Sequence, residues 1–242
     1  NTPIDHVQIN QENLRYKVIK QEINQIIGLK ILTIKRRSKY LLFFFNKGIV
    51  MIAHLGMTGK FFFVSKKQIK KKTSFYYNLN ETKDHKHDHV VFTFKDKSKL
   101  IYNDVRKFGF IKFDKLPNLK KNSHLRILGP EPLNCIFNFK YFKNYIKNKK
   151  RIIKDLLMDQ KFVSGVGNIY ANEILFYSKI KPNRKLAELK DIELKKIITN
   201  TKKILKKAIN LGGSSIKNFS STSGKSGSFQ QHFSVYAKKG NS

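Results

Sequence analysis

The sequence predicts an α+β protein of more than one domain, an antiparallel β-sandwich or barrel followed by a helical domain. Three observations carry that expectation. Short runs rich in β-branched and aromatic residues follow one another closely through the first half. Helical periodicity replaces them in the second half. A Pro-containing, weakly periodic stretch, "KLPNLKKNSHLRILGPEPL", lies between. The expected boundaries are a β domain over 1–115, a linker over 116–133 and a helical domain over 134–242. A chain of 242 residues is long enough for two modest cores.

The elements are read in chain order. "NLRYKVIKQEINQIIG" is compatible with a strand or a short helix. "KILTIKRR", "KYLLFFF", "GIVMIAHL" and "GKFFFVS" read as strands, with "NKG" as the turn between the second and third. "HVVFTF" and "KLIYNDV" flank "KDKSK", the pattern of a hairpin. "YFKNYIKNKKRIIKDLLMD" reads as helix, with Ile152 and Leu156, and Ile153 and Leu157, paired at i,i+4. A glycine-laced turn follows, then a second helix on which Tyr170, Ile174 and Tyr177 recur. The last long helix carries Leu194, Ile197, Ile198, Leu205, Ala208 and Ile209 on one face and lysines on the other. It is expected to stop at Gly212 and Gly213. The tail, "SSTSGKSGSFQQHFSVYAKKGNS", begins as a Gly/Ser-rich loop and ends as the start of a strand.

The formal net charge is +34. So many cations repel one another unless a polyanion is near, which points to nucleic acid or an anionic membrane. Lys, Ile and Asn share A/T-rich codons, so coding bias also contributes to the lysine content. No apolar run approaches a membrane span, and "NTPIDHVQ" lacks the pattern of a signal peptide. The single Cys135 excludes a disulfide framework and a four-thiolate zinc site within these residues.

Four short constellations invite chemistry, each with a plainer alternative. In "DQKFVSGVGNIYANEILF", Asn168 is placed to cap a helix behind Gly165 and Gly167, which would aim backbone N–H groups and the helix dipole at a phosphate. The alternative is a plain helix–helix corner. In "HKHDH", His85, His87 and His89 would share one face of a strand and meet a metal or, among so many lysines, phosphate or solvent. "HLGMTG" and "NDVRKFG" place His54, Met57, Arg106 and Phe108 at strand ends, where an apolar residue and an arginine can enter stacked bases, or where Met57 and Phe108 are simply core. "KRRSKYLL" sets Lys39 among cations that would lower its pKa, or on a solvated basic edge.

Taken together, "RRSKYLL", "HLGMTG", "KHDH", "NDVRKFG", "LGPEPL", "LMDQKFVSGVGNIYANEILF", "KIKPNR" and "GGSSIKNF" resemble, in order and spacing, the bacterial formamidopyrimidine-DNA glycosylases, helix–two-turn–helix DNA glycosylases. The resemblance covers nearly the whole chain. It implies an N-terminal β-sandwich, a C-terminal helical helix–two-turn–helix domain and DNA in the cleft between them. The implied activity is removal of oxidised purines, chiefly 8-oxoguanine and formamidopyrimidines, from duplex DNA in base-excision repair, followed by β,δ-elimination at the abasic site. By resemblance, Met57, Arg106 and Phe108 enter the duplex as the damaged base flips out, with Arg106 facing the orphaned cytosine and Phe108 as the wedge. His87, Lys149, Lys154 and Asn168 resemble the family's phosphate contacts, with Arg106 and His54 as further DNA-binding residues. Lys39 resembles the proton donor for β-elimination. Ser214, Ser215, Lys217, Ser223 and Lys225 fall in the loop that covers the flipped purine.

The resemblance also marks two departures. The family nucleophile is an N-terminal proline followed by a glutamate, and Asn1 aligns past both. The family continues beyond a "VY…KG" segment into a four-cysteine zinc finger, whereas this sequence stops at "VYAKKGNS". The chain therefore reads as truncated at both ends. It is either part of a working bifunctional glycosylase and lyase or an inactive remnant that binds damaged DNA. No cofactor and no metal site is expected in this chain, and the structural zinc the resemblance implies would take its ligands beyond Ser242. The expected setting is a bacterial cytoplasm, at the nucleoid, with damaged double-stranded DNA as partner, no membrane, no obligate protein partner and a monomeric state.

Overall fold

Residues 2–65, 70–72, 85–213, 228–236 and 238 are described by a computed structural model. The chain separates into two compact units, one up to Leu125 and one from Arg126.

The first unit holds two antiparallel sheets. Its elements are β1 (Ile4–Ile9), α1 (Lys20–Asn24), β2 (Ile31–Arg37), β3 (Tyr40–Phe45), β4 (Ile49–His54), β5 (Lys60–Val64), β6 (Lys70–Lys72), β7 (Asp88–Phe94), β8 (Lys99–Asn103) and β9 (Phe110–Lys115). The strand order is β1-β7-β8-β5-β6 in one sheet and β2-β3-β4-β9 in the other. The six strands read from sequence in the first half all form. The stretch left open between strand and helix supplies the short helix α1. β1 and β9 were not anticipated: "IDHVQI" and "FIKFDK" carry too few apolar residues to stand out, and their pairing partners β7 and β4 are distant in sequence.

The sheets share one core. Phe43 and Phe45 of β3, Met51 and Ala53 of β4, Phe61 of β5, Phe92 of β7 and Tyr102 of β8 are all buried in it. The Phe43 and Phe61 rings lie 5.2 Å apart, as do those of Phe61 and Tyr102. "YLLFFF" and "GIVMIAHL" read as continuous apolar runs and not as alternations because their second faces are covered too. Leu42, Val50 and Ile52 pack against Leu119, within a 3-10 turn over Leu116–Lys121, and Leu125, just after it. Segment 116–125 therefore folds onto the β unit.

The second unit holds α2 (Phe139–Ile146), α3 (Ile153–Met158), α4 (Asn168–Ser178) and α5 (Asp191–Asn210). The single helix expected over "YFKNYIKNKKRIIKDLLMD" is two. Its cationic middle, Lys147–Arg151, breaks at Asn148, which is left-handed at φ 63°. Ile152 then runs extended and bridges Lys185, while the Arg151 carbonyl accepts from Leu186 N–H at 2.9 Å. Tertiary pairing outbids a helical pattern whose like charges repel. α5 ends as expected at Gly212 and Gly213, both left-handed, with Gly213 N–H donating to the Ala208 carbonyl at 2.7 Å. The expected terminal strand is absent among the described residues. Phe229–His232 form a 3-10 turn, and the backbone beyond turns toward Glu173.

Candidate nucleic-acid interface

Two loops of the first unit, 55–59 after β4 and 104–109 after β8, meet at one fully buried carboxylate, Asp104. Its Oδ1 accepts from the Thr58 hydroxyl and, at 3.3 Å, from Arg106 N–H. Its Oδ2 accepts from Gly109 N–H at 2.8 Å and from the Tyr102 hydroxyl at 3.3 Å. Arg106 N–H also donates to Thr58 Oγ1 at 3.0 Å. Burial, and then the adjacent carboxylate, raises the Tyr102 phenol far above its ordinary pKa, so it stays a donor. Two glycines let the loops touch. A Cβ on Gly56 (φ +59°) would lie 2.7 Å from the Phe108 backbone, and one on Gly109 would lie 2.4 Å from the His54 carbonyl oxygen.

This frame presents Met57, Arg106 and Phe108 together. Met57 is 57% exposed and Phe108 46%, so neither is a core residue. The Arg106 guanidinium joins them: Nη1 lies 3.3 Å from Met57 Sδ, and Cζ lies 4.5 Å from the Phe108 ring centroid. An exposed cation stacked between two apolar side chains, on a rigid loop pair, is chemically suited to enter a base stack.

Lys39 stands in the two-residue turn between β2 and β3, whose strands close through the Arg37–Tyr40 pair. Ser38 takes the left-handed conformation there (φ 55°), and its carbonyl accepts from Arg36 Nη1 at 2.9 Å. Lys39 keeps exposed surface, yet the protein mass around it lowers its ammonium pKa. The strand register then sets Tyr40, His54 and Phe110 side by side on β3, β4 and β9. His54 stacks on Phe110 with centroids 5.7 Å apart. Its Nδ1 accepts from Gly56 N–H at 3.0 Å, which requires that nitrogen to be unprotonated. Burial first, then Arg15, Lys39 and His124, push its pKa down to about 4.

"HKHDH" departs from the expected strand. His85 and His87 lie in a 3-10 turn, and β7 begins only at Asp88. His85 Nδ1 is 2.8 Å from Asp88 Oδ2. His89 is 2% exposed, with Nε2 2.7 Å from the Asp104 carbonyl oxygen. The three histidines therefore do not alternate along one strand, because the first two belong to the turn, although the His87 and His89 rings remain 6.4 Å apart. His87 opens onto a shallow cavity with Asn10, Gln11 and Lys107. Among the described residues no cluster of His, Cys, Asp or Glu is arranged to hold a metal ion. The four cysteines of the implied zinc finger have no counterparts in this chain, whose only cysteine is the exposed Cys135.

In the second unit the turn between α3 and α4 is held by Gln160. Its Oε1 accepts from Gly165 N–H at 2.7 Å, and its Nε2 donates to the carbonyls of Val166 at 2.8 Å and Met158 at 3.0 Å. Phe162, Val163 and Val166 are buried beneath the turn. Gly165 sits at φ +88° with open space around it, so conformation and not crowding calls for glycine. Gly167, not Asn168, takes the N-cap place, and Asn168 is the first residue of α4. The first helical bond runs from Ala171 N–H to the Gly167 carbonyl at 2.9 Å. The N–H groups of Asn168 and Ile169 precede it and point out of the helix end, where the dipole favours an anion. Lys154 lies in α3. Lys149 Nζ lies 4.6 Å from the Tyr145 ring centroid. Nearby, burial pushes Asp159 up, but its bond to Arg151 Nη1 at 2.6 Å and to Lys161 N–H outweigh that and leave its pKa lowered. Ser214, Ser215, Lys217, Ser223 and Lys225 lie outside the described residues.

Three structural determinants escaped the sequence reading. Asp104 stands inside "NDVRKFG", where only the arginine and phenylalanine drew attention. Gln160 stands inside the long glycine-turn segment. Glu173 is the one acid of "NIYANEILFYS"; it is fully buried and accepts from the N–H groups of Ser234, Val235 and Tyr236 at 2.8–3.0 Å. A lone acid within an apolar helix was the available signal, since a buried carboxylate needs partners.

Comparison with known proteins follows the same division. Residues 1–111 match the formamidopyrimidine-DNA glycosylase N-terminal domain, and residues 128–220 match the formamidopyrimidine-DNA glycosylase H2TH domain. Formamidopyrimidine-DNA glycosylase of Rickettsia bellii (strain OSU 85-389) is 40% identical over 237 residues, which are 98% of this chain and 81% of that protein. The protein of the same name from Wolbachia pipientis subsp. Culex pipiens (strain wPip) is 38% identical over 98% of this chain and 82% of its own length. Among solved structures, the complex of Lactococcus lactis Fpg with DNA containing an abasic site superposes with a TM-score of 0.81 at 30% identity, covering 98% of this chain and 81% of that one. Its complex with Fapy-dG-containing DNA gives 0.82 at 30% identity, covering 98% and 82%. The chain belongs to the formamidopyrimidine-DNA glycosylase family.

Proposed function

We propose that this protein recognises damaged duplex DNA and acts in base-excision repair as a glycosylase and abasic-site lyase for oxidised purines. The observation that carries the reading is the Met57–Arg106–Phe108 cluster, exposed and held on loops that a buried carboxylate fixes. Extruding a base costs a few kcal/mol in lost stacking, which inserted side chains partly restore. Phe108 supplies the wedge, Met57 fills beside it, and the Arg106 guanidinium supplies donors for the base left unpaired. Lys39 serves as proton donor in β-elimination, because its lowered pKa eases release of its proton. His87, Lys149, Lys154, the start of α4 at Asn168, and His54 hold the backbone. The 214–228 loop covers the extruded purine. No helix among the described residues is long and apolar enough to cross a membrane; the setting we propose is cytoplasmic, at the nucleoid, with the protein acting as a monomer.

The test is borohydride trapping. Protein expressed from its complete reading frame, incubated with an 8-oxoguanine duplex and borohydride, is expected to give a covalent adduct, and without borohydride a nicked strand. Absence of both products overturns the reading.

A further inference from the structure

We infer that Asp104 is a positioning residue that ties the His87 segment to the loop carrying Arg106 and Phe108, and thereby sets how Arg106 meets the base opposite a lesion. The inference rests on the proposed role of the Met57–Arg106–Phe108 cluster and adds to it a residue that never touches DNA. Asp104 is wired at both ends. Its N–H donates to the His87 carbonyl at 3.1 Å, and its own carbonyl oxygen lies 2.7 Å from His89 Nε2. His89 Nδ1 has no hydrogen-bond partner among the described residues, so the ring's hydrogen bonding runs through the Asp104 carbonyl, while its edge meets the His87 ring at 6.4 Å between centroids. Its carboxylate takes Thr58 and Arg106 on one oxygen and Gly109 and Tyr102 on the other. The bond to Arg106 is to its backbone N–H, two atoms from the carbon that aims the guanidinium. A core carboxylate serving only stability would need no bond on either side of the arginine. This one holds Arg106 and Gly109, the two flanks of the presented segment, as well as the facing loop at Thr58. Burial excludes water as a substitute for any of these partners.

Asp104→Asn keeps the shape but replaces one acceptor with a donor, so one pair of donors faces an N–H. The measurement is affinity for three duplexes, with a tetrahydrofuran abasic analogue opposite cytosine, the same opposite adenine, and no lesion. A misaimed guanidinium loses base discrimination first. The expected result is about a tenfold fall in the cytosine-over-adenine ratio, the scale of one well-placed arginine–base contact, with undamaged-duplex affinity within about twofold of wild type. Loss of stability alone would lower all three affinities together and leave the ratio unchanged. Thr58→Val, which removes one hydroxyl from the same oxygen and from Arg106 N–H, should move the ratio the same way by less, and it carries the test if Asp104→Asn does not fold. A wild-type ratio that persists in every folded variant overturns the coupling. Equal wild-type affinity for lesion and intact duplexes would instead overturn the reading of the cluster itself, and the coupling with it.

Discussion

The two turns that face outward from this protein are built on opposite principles. The loop pair 55–59 and 104–109 is pinned from below by the acidic side chain of a fully buried Asp104 and displays side chains. The turn between α3 and α4 is pinned by the neutral Gln160 and displays the N-terminus of α4. The first can sense what occupies a base stack, because side-chain volume and π-faces differ in their fit to it. The second can sense only that a phosphate is present, because backbone N–H groups and a helix dipole carry no sequence information. A protein that must first hold DNA and then find a lesion has use for both, and here they lie in separate units of the chain.

Substitutions can break that contrast, and the largest effect is expected at the wedge. Phe108→Ala should weaken binding to an abasic-analogue duplex by about tenfold or more, the scale of one base–aromatic stack, while binding to intact duplex barely changes. Titration of both duplexes checks it, and equal losses would merge the two turns into one kind of contact. Gln160→Ala should lower stability by about 2 kcal/mol, because a backbone N–H and two carbonyls lose their partner at once. It should also weaken binding to every duplex alike; denaturant melts paired with the same titrations decide it.

A third expectation concerns pH. His54 is held neutral in the folded protein, its pKa pushed down to about 4. The unfolded chain binds that proton near 6.5, so between roughly pH 6.5 and 4 the unfolded state carries more protons and stability falls as the pH falls. The loss should be about 2 kcal/mol after allowance for screening at a partly exposed site. His124, also lowered by burial and by Lys112 and Arg15, acts in the same direction. A His54→Asn variant should show a flatter stability profile in that window. The smallest effect is expected at the second unit. Lys154→Ala should reduce the log–log salt slope by about 0.9, one phosphate's worth, whereas Asn168→Ala should weaken binding without changing the slope. Affinity at a series of salt concentrations separates them.

How legible these features were depended on how local their causes are. The strands "KYLLFFF" and "GIVMIAHL" were plain because apolar runs bounded by a turn signal leave few alternatives. The end of α5 at Gly212 was equally plain. β1 and β9 were not, since Ile4–Ile9 and Phe110–Lys115 gain their order from β7 and β4, far along the chain. The break at Asn148 was hidden because the i,i+4 pairs around it are real, yet Ile152 pairs with Lys185 across the unit. The site residues show the same limit. Met57, Arg106 and Phe108 could be picked out by type and setting, but whether Met57 and Phe108 were core or surface could not.

By itself the sequence determined the order of a β half and an α half, the strong positive charge, and the residue types able to wedge, grip or donate a proton. Those follow from periodicity, composition and short-range turn chemistry, which act within a few residues. Tertiary structure alone decided that Asp104 and Gln160 hold the two turns, that Gly167 and not Asn168 caps α4, and that His89 is buried in β7 while His85 and His87 fall in the 3-10 turn before it. Each of these depends on which backbone N–H groups are brought to a given oxygen, and that is settled by packing between segments that the sequence keeps apart.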